Sequence, residues 1–180
     1  YIDTVTFIRA GNDAIDLMGS EVTIARSVIL NSGDKGVSVG EGSRALIVDT
    51  RLERNAIGIE SKDGSIVQLL HANLDQNVTQ VSAYNKNWRY GAGGRVDIRK
   101  STLSGKEARY SIEKGSNLYI QDSITIPPLP SKKQITIGPD IRTSLHDTKV
   151  QAEYGDGIMA GLETLAYQPD AHTIGISPSK

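Results

Sequence analysis

Apolar residues recur in fixed columns along this chain, counted from a series of glycines that we call the anchor glycines: Gly19, Gly42, Gly64, Gly93 and Gly115. The third and fifth positions after each anchor are apolar, giving the columns Val22, Ala45, Val67, Val96, Leu118 and Ile24, Ile47, Leu69, Ile98, Ile120. The eighth position is small and the tenth mostly apolar, giving Ser27, Thr50, Ala72, Ser101, Ser123 and Ile29, Leu52, Leu74, Leu103, Thr125. The anchors lie 23, 22, 29 and 22 residues apart. A repeat with this period and one insertion predicts a solenoid.

The alternation inside each repeat predicts strands, because side chains that alternate every second residue are typical of strands and not of helices. A further apolar pair precedes each anchor: Ile15/Leu17, Val37/Val39, Ile57/Ile59, Val81/Ala83 and Tyr110/Ile112. Three short strands per coil, stacked in parallel about 4.8 Å apart, make an all-β right-handed parallel β-helix of about five coils. The leucine-rich repeat signature is absent, and the coil of a hexapeptide solenoid is too short for these spacings.

The repeat predicts a β-helix over residues 1–128 that begins inside a coil, since Ile2, Val5 and Phe7 match the fifth, eighth and tenth columns. An exposed first coil would leave open strand edges, so we expect further coils or another domain upstream in the parent protein. Prolines within residues 127–130 end the pattern. Residues 129–180 are expected to form a C-terminal cap or tail, with one further strand at residues 135–137 and a weak helical pattern at 158–167.

Composition narrows the function classes. The net charge of −1 gives no electrostatic argument for binding nucleic acid or an anionic membrane. No apolar run is long enough to span a bilayer, and the first residues lack a secretory signal, as a mature secreted fragment also would. The absence of cysteine excludes disulfides and a cysteine nucleophile. The three histidines are too scattered for a zinc site. Calcium is the one ion left open, through Asp34, Glu41 or Asp63, but these residues follow no known calcium-ligand spacing, so no cofactor is expected.

We expect function where the repeat is interrupted, because loops on a rigid scaffold carry most binding groups. Between the last inward residue of the strand before each anchor and the anchor itself, the link is one, two, four, nine and two residues long in successive coils. This predicts a ridge along one corner of the rod that is highest at the fourth coil, with Glu60, Ser61, Lys62 and Asp63 beneath it.

The nine-residue insertion contains the only tryptophan of the chain. Its aromatic rings and its Asn, Lys and Arg donors suit a sugar ring that carries a carboxylate. The expected ligand-binding residues are Tyr84, Asn85, Lys86, Trp88, Arg89 and Tyr90. The alternative is that Trp88 and Tyr90 cover a neighbouring loop or seal a partner domain, because exposed aromatic residues mark interfaces in general.

A candidate catalytic set can be named for the case that the domain is an enzyme: Lys62, Lys86, Arg89, Asp34 and Asp63. A lysine would act as base, the arginine would neutralise a substrate carboxylate and an aspartate would assist. Their spacing matches no catalytic signature. The structural alternative is that Asp and Asn bond to turn backbones in the corners of the coils, as expected for Asn31, Asn55 and Asn77.

The repeat as a whole resembles the pectate-lyase-type right-handed β-helix superfamily over residues 1 to about 128. More narrowly, the runs GNDAIDL (residues 11–17), GDKGVSVGEGS (33–43) and IGIESKDGS (57–65) are similar to the β-helix module of bacterial surface proteins with CotH-like regions. The resemblance implies members that cleave or epimerise acidic polysaccharides, or that act as tailspikes, adhesins and surface rods. The Asp-Pro-His-Glu epimerase motif and the paired-aspartate signatures of polygalacturonases are absent, so no family catalytic residue carries over.

Two functions from different classes are therefore expected. The first is a non-catalytic β-helix domain of a larger extracellular or cell-surface protein, acting as a scaffold and as a glycan- or partner-binding face. The alternative is a polysaccharide lyase, epimerase or hydrolase acting on an acidic, uronate-containing polysaccharide. The expected partner is a polysaccharide or another domain or subunit, without nucleic acid and without membrane insertion.

Overall fold

The computed structural model describes residues 1–106, 108–130 and 133–137, and these residues form parallel strands wound into a β-helix. Sheet A holds the strands that follow the anchors: β1 (Ile2–Asp3), β4 (Glu21–Ala25), β7 (Arg44–Val48), β10 (Ile66–Leu70), β13 (Arg95–Arg99), β16 (Asn117–Gln121) and β18 (Ile135–Ile137). Sheet B holds the next strand of each coil: β2 (Thr6–Ile8), β5 (Val28–Leu30), β8 (Arg51–Glu53), β11 (Asn73–Asp75), β14 (Thr102–Ser104) and β17 (Ile124–Ile126). Sheet C holds the strands before the anchors: β3 (Ile15–Met18), β6 (Lys35–Gly40), β9 (Ile57–Lys62), β12 (Thr79–Tyr84) and β15 (Arg109–Ile112).

The strand register turns the sequence columns after each anchor into ladders. In sheet A, Ile24, Ile47, Leu69, Ile98 and Ile120 are paired one above the other. In sheet B, the ladder runs through Ile29, Leu52, Leu74, Leu103 and Thr125. These side chains meet those of sheet C in one continuous aliphatic core. The parallel β-helix predicted from the columns is confirmed.

The predicted inward pair of one coil, Ile57/Ile59, is wrong. In sheet C, Val39 pairs with Ser61 and Ser61 with Ala83, whereas Ile57 pairs with Lys35 at the start of the strand. The inward pair of the third coil is therefore Ile59/Ser61 and not Ile57/Ile59. The buried Ser61 hydroxyl donates to the carbonyl oxygen of Ser65 (3.0 Å). Because that bond satisfies the hydroxyl within the chain, a polar residue can occupy an inward position.

The corner between sheets A and B is a turn of one left-handed residue per coil. Its members share a φ of 45° to 52° although none is glycine: Arg26, Asp49, His71, Lys100 and Asp122. The next residue supplies a hydroxyl in every coil but the third, where it is Ala72, and that hydroxyl bonds to backbone groups. The Ser27 hydroxyl donates to the Ala25 carbonyl (2.7 Å) and accepts from the Val5 N–H of the coil before (3.2 Å). This explains the column of small residues, because the hydroxyl satisfies backbone groups that the turn removes from the ladders.

The corner between sheets B and C contains a ladder of buried amides. Asn55 Oδ1 accepts from the Ser32 N–H (2.9 Å), and Asn77 Oδ1 accepts from the Asn55 N–H (3.0 Å) and side chain (2.9 Å). Both asparagines are buried. The predicted corner role is confirmed for them, while Asn31 occupies the left-handed turn just before the buried Ser32.

Both ends of the described chain fit the coil pattern. Ile2 pairs with Ile24 and Phe7 with Ile29, which confirms that the first residues occupy the fifth and tenth columns. β18 pairs with β16, which confirms the further strand and carries sheet A past residue 128. The remainder of the expected cap or tail, residues 138–180, lies outside the described residues.

Candidate functional site

The insertion occupies the corner between sheets C and A. It links β12 to β13, and we call residues 84–94 the corner loop. Two residues separate Ser61 from Gly64 in the coil before, because Ser61 and not Ile59 is the last inward residue. The link is also two residues in the second and fifth coils. The expected graded ridge is therefore wrong: among the described coils, the fourth alone carries an insertion.

Asp63 fixes the start of the corner loop. Its carboxylate oxygen Oδ1 accepts hydrogen bonds from the backbone N–H groups of Lys86 (2.7 Å) and Asn87 (2.6 Å). The residue has a φ of +57° and is only 2% exposed. Asp tolerates this left-handed conformation better than most residues, and a carboxylate forms stronger bonds with N–H groups than a neutral oxygen does. Asp63 thus has a structural role in holding the loop.

The tip of the corner loop is one 3-10 turn, Trp88–Tyr90. Asn87 caps it, because its side-chain oxygen accepts from the Arg89 N–H (3.2 Å). Gly91 closes it with a left-handed φ of +68°, and its N–H donates to the Trp88 carbonyl (3.1 Å). The tip is therefore held by its own hydrogen bonds.

The end of the corner loop is fastened to the coil below. The Gly64 N–H donates to the Ala92 carbonyl (3.0 Å). Gly94 lies so close to Ser61 that a Cβ atom at this position would overlap the Ser61 carbonyl group. Only glycine permits this approach of two backbones at position 94, and a Cβ at Gly93 would likewise overlap Ser116 of the following coil, which explains the two glycines at the end of the insertion.

The side chains at the tip point into solvent. Trp88 is 81% exposed, and Asn85, Lys86, Arg89 and Tyr90 are also exposed. Within the described part of the chain, neither Lys86 nor Arg89 makes an ion pair. The expected ligand-binding residues are thus brought together on one fixed loop, and Trp88 covers no described neighbour. The two cations are available to a ligand.

Beside the loop, the outer face of sheet C carries a buried carboxylate. Glu60 is 2% exposed although it points away from the core. Its Oε1 accepts from the ammonium group of Lys62 (2.9 Å) and from the hydroxyl of Tyr84 (3.2 Å). Lys62 also donates to the hydroxyl of Ser38 (2.7 Å), and its side chain lies over Gly40, where a Cβ would come within 2.8 Å of Lys62 Cε. The cluster ties the first residue of the loop to the sheet.

The proton affinities follow from this packing. Burial, together with the charge of the neighbouring Glu60 carboxylate and the hydrogen bond to it, raises the pKa of the Tyr84 phenol to about 12. The phenol is a proton donor at neutral pH. Burial opposes the charge of Lys35, but its hydrogen bond to Asp34 and the carboxylates of Glu60 and Asp13 outweigh this, so its pKa is raised.

The candidate catalytic residues do not form one constellation. Asp34 precedes β6 and pairs with Lys35 at the edge of sheet C where its strands begin. Asp63 and Lys86 lie where the strands of sheet C end. Lys62 adjoins them but is bound to Glu60. The sequence placed Glu60 beneath the loop but gave it no role. In the structure, Ser38, Glu60 and Ser82 form one outward ladder, which the predicted inward pair Ile57/Ile59 did not reveal.

The described residues show neither a metal-binding cluster nor a membrane-spanning helix. They contain no group of three or more His, Cys, Asp or Glu side chains placed to hold a metal ion. They also contain no helix with the length and hydropathy needed to cross a membrane.

Comparison with known protein families, with curated proteins and with solved structures finds no match to this chain. The class that fold and site define is a parallel β-helix with one exposed aromatic and cationic loop.

Proposed function

We propose that this chain is a non-catalytic β-helix domain of a larger extracellular or cell-surface protein, and that its corner loop binds a glycan. The observation that carries the proposal is the 81% exposure of Trp88 on a loop whose backbone is fixed at both ends. Tryptophan is enriched at binding interfaces relative to the rest of a protein surface. A loop ordered before binding loses little conformational entropy when a ligand arrives.

The side chains around Trp88 favour an acidic glycan. The indole face suits the apolar face of a sugar ring, and Lys86 and Arg89 suit a carboxylate on that ring or its neighbour. Lys62 and Lys35 are already neutralised by Glu60, Asp34 and Asp13. The cations of the loop tip are therefore the better candidates for neutralising a uronate.

The second candidate is a polysaccharide lyase, epimerase or hydrolase, as the pectate-lyase-like resemblance suggests. The observation that favours it is the contact of Lys62, Glu60 and Tyr84, because a cation, a carboxylate and a phenol are groups that move protons beside a uronate carboxylate. The packing of Lys62 argues against it, since its ammonium group already donates to Glu60 and Ser38, whereas a general base must reach the proton of the substrate. We therefore place binding before catalysis.

The test measures binding of the chain to a panel of uronate-rich and neutral polysaccharides by affinity electrophoresis and calorimetry. Trp88→Ala is expected to weaken binding at least about tenfold, which corresponds to about 1.4 kcal/mol. Met18→Ala is the matched control, because Met18 is 60% exposed on sheet C of the first coil, away from the loop. Lys86→Ala with Arg89→Ala is expected to remove the preference for uronate and the dependence on salt.

Each outcome separates the candidates. Binding that is unchanged in Trp88→Ala, or absent from every polysaccharide, would refute the glycan proposal. Unsaturated or shortened products that disappear in Lys62→Ala would establish the enzyme instead. Products that persist in Lys62→Ala and Lys86→Ala would remove both proposed bases.

A further inference from the structure

One motif of the sequence has no part in the corner loop. Asn77-Val78-Thr79 is an Asn-x-Thr acceptor for N-glycosylation, and no other Asn-x-Ser/Thr occurs in the 180 residues. Such acceptors are expected on the surface, where a bulky sugar can attach. Asn77, however, is 2% exposed and belongs to the amide ladder between sheets B and C.

Every hydrogen-bonding position of the Asn77 side chain is in use. Its Nδ2 donates both hydrogens, to the Leu52 carbonyl (3.0 Å) and to Gln80 Oε1 (2.9 Å). Its Oδ1 accepts from the backbone and the side chain of Asn55 (3.0 Å and 2.9 Å). The chain also leaves no space here: a Cβ on the neighbouring Gly58 would lie 3.0 Å from Asn77 Nδ2.

N-glycosylation acts on this nitrogen. A new bond joins Nδ2 to C1 of the sugar, the bond from C1 to the lipid-pyrophosphate donor breaks, and Nδ2 gives up one proton. The glycosylated nitrogen retains one hydrogen and carries a sugar in place of the other. It can then no longer donate to both partners, and a buried acceptor is left unsatisfied. The sugar itself has no place between the third and fourth coils.

We propose that folding makes the Asn77 side chain inaccessible to N-glycosylation, so that glycosylation of Asn77 and formation of the third and fourth coils exclude one another. In a cell that glycosylates nascent chains, modification precedes the pairing of β9 with β12, and the modified chain is trapped outside the native fold. The proposal concerns the corner opposite the corner loop along sheet C and does not depend on glycan binding.

Thr79 allows a test that leaves Asn77 untouched. Thr79 lies on β12 with a partly exposed side chain, so Thr79→Val removes the acceptor while keeping the branched shape, and Thr79→Ser keeps the acceptor. All three chains are first made in bacteria, where equal thermal unfolding shows that the variants fold. They are then expressed with a signal peptide in a eukaryotic secretory host, and glycosidase-sensitive mass and protease resistance are measured.

In the secretory host, the wild-type and Thr79→Ser chains are expected to divide into a glycosylated, protease-sensitive fraction and an unmodified, folded fraction. Thr79→Val is expected to appear folded with at least a severalfold higher yield. Because the acceptor is unique in the sequence, any shift in mass is assigned to Asn77 without ambiguity. A secreted, protease-resistant chain that carries the glycan on Asn77 and unfolds like the bacterial protein would overturn the proposal.

Discussion

Asp63 is predicted to control the order of the corner loop more than the stability of the rod. The informative change is Asp63→Gly, because glycine adopts the observed φ of +57° without strain and removes only the carboxylate. Asp63→Asn is the matched control, since Asn also tolerates this φ and keeps an oxygen that can accept. The difference between the variants isolates the two bonds to Lys86 and Asn87.

The magnitude follows from those two bonds. A buried hydrogen bond to a charged group makes a net contribution of about 1.5–3 kcal/mol. The bonds from Lys86 and Asn87 are only partly buried, so about 1 kcal/mol for each is the better figure, near the net value for an ordinary hydrogen bond. A total of about 2 kcal/mol corresponds to a rise of roughly thirtyfold in the open population.

Trypsin measures that population, because the loop contains Lys86 and Arg89 as cleavage sites. When opening is fast relative to cleavage, the rate of nicking follows the fraction of open loop. Fragments that end at these two residues should appear about thirtyfold faster in Asp63→Gly and less than about fivefold faster in Asp63→Asn. Equal nicking rates in wild type and Asp63→Gly would show that the carboxylate does not hold the loop.

Three further predictions concern the rod. Gly94→Ala should displace the loop end from Ser61 and lower the melting temperature by several degrees, consistent with about 1–3 kcal/mol of overpacking; an unchanged melting curve would refute the close contact. Folding raises the pKa of Tyr84 and Tyr110 from 10.0 to about 12, so stability is complete below pH 10 and should decline as pH rises through 12. Denaturant unfolding from pH 9 to 12 checks this, and the decline should be smaller when either residue is Phe. Leu74→Ala, at a fully buried position in a middle coil, should cost about 2–5 kcal/mol by chemical unfolding; a loss below 1 kcal/mol would contradict continuous packing of the core.

The columns predicted the fold because every coil buries side chains at the same positions. Ile47 and Ile98 occupy equivalent inward positions, and burial of the same face selects the same kind of side chain. The hydrophobic pattern misidentified the inward pair of β9, where Ser61 is buried in the core position and Ile57 is only half-buried at the start of the strand. A serine that bonds to its own chain is as acceptable inside as an alanine, and periodicity alone cannot reveal that bond.

The candidate site was predicted in part. The break in the period identified the loop and its exposed aromatic and cationic residues, because an insertion in a solenoid must leave the core. The sequence did not reveal that Asp63 holds the loop, since an Asp-Gly pair is equally typical of a plain turn. Nor did it reveal the burial of Glu60, which depends on side chains from the neighbouring strands.

The insertion leaves the ladders on either side undisturbed. Ile66 pairs with Arg95 and Arg95 with Asn117, in the register used elsewhere in sheet A. Lengthening a loop adds little closure entropy, about 0.6 kcal/mol for each doubling. Provided that Asp63, Gly93 and Gly94 are retained, other sequences of similar length should be accepted at residues 85–92 of the corner loop. Natural selection, or a laboratory library, can thus vary the side chains that this loop presents while leaving the rod itself unaltered.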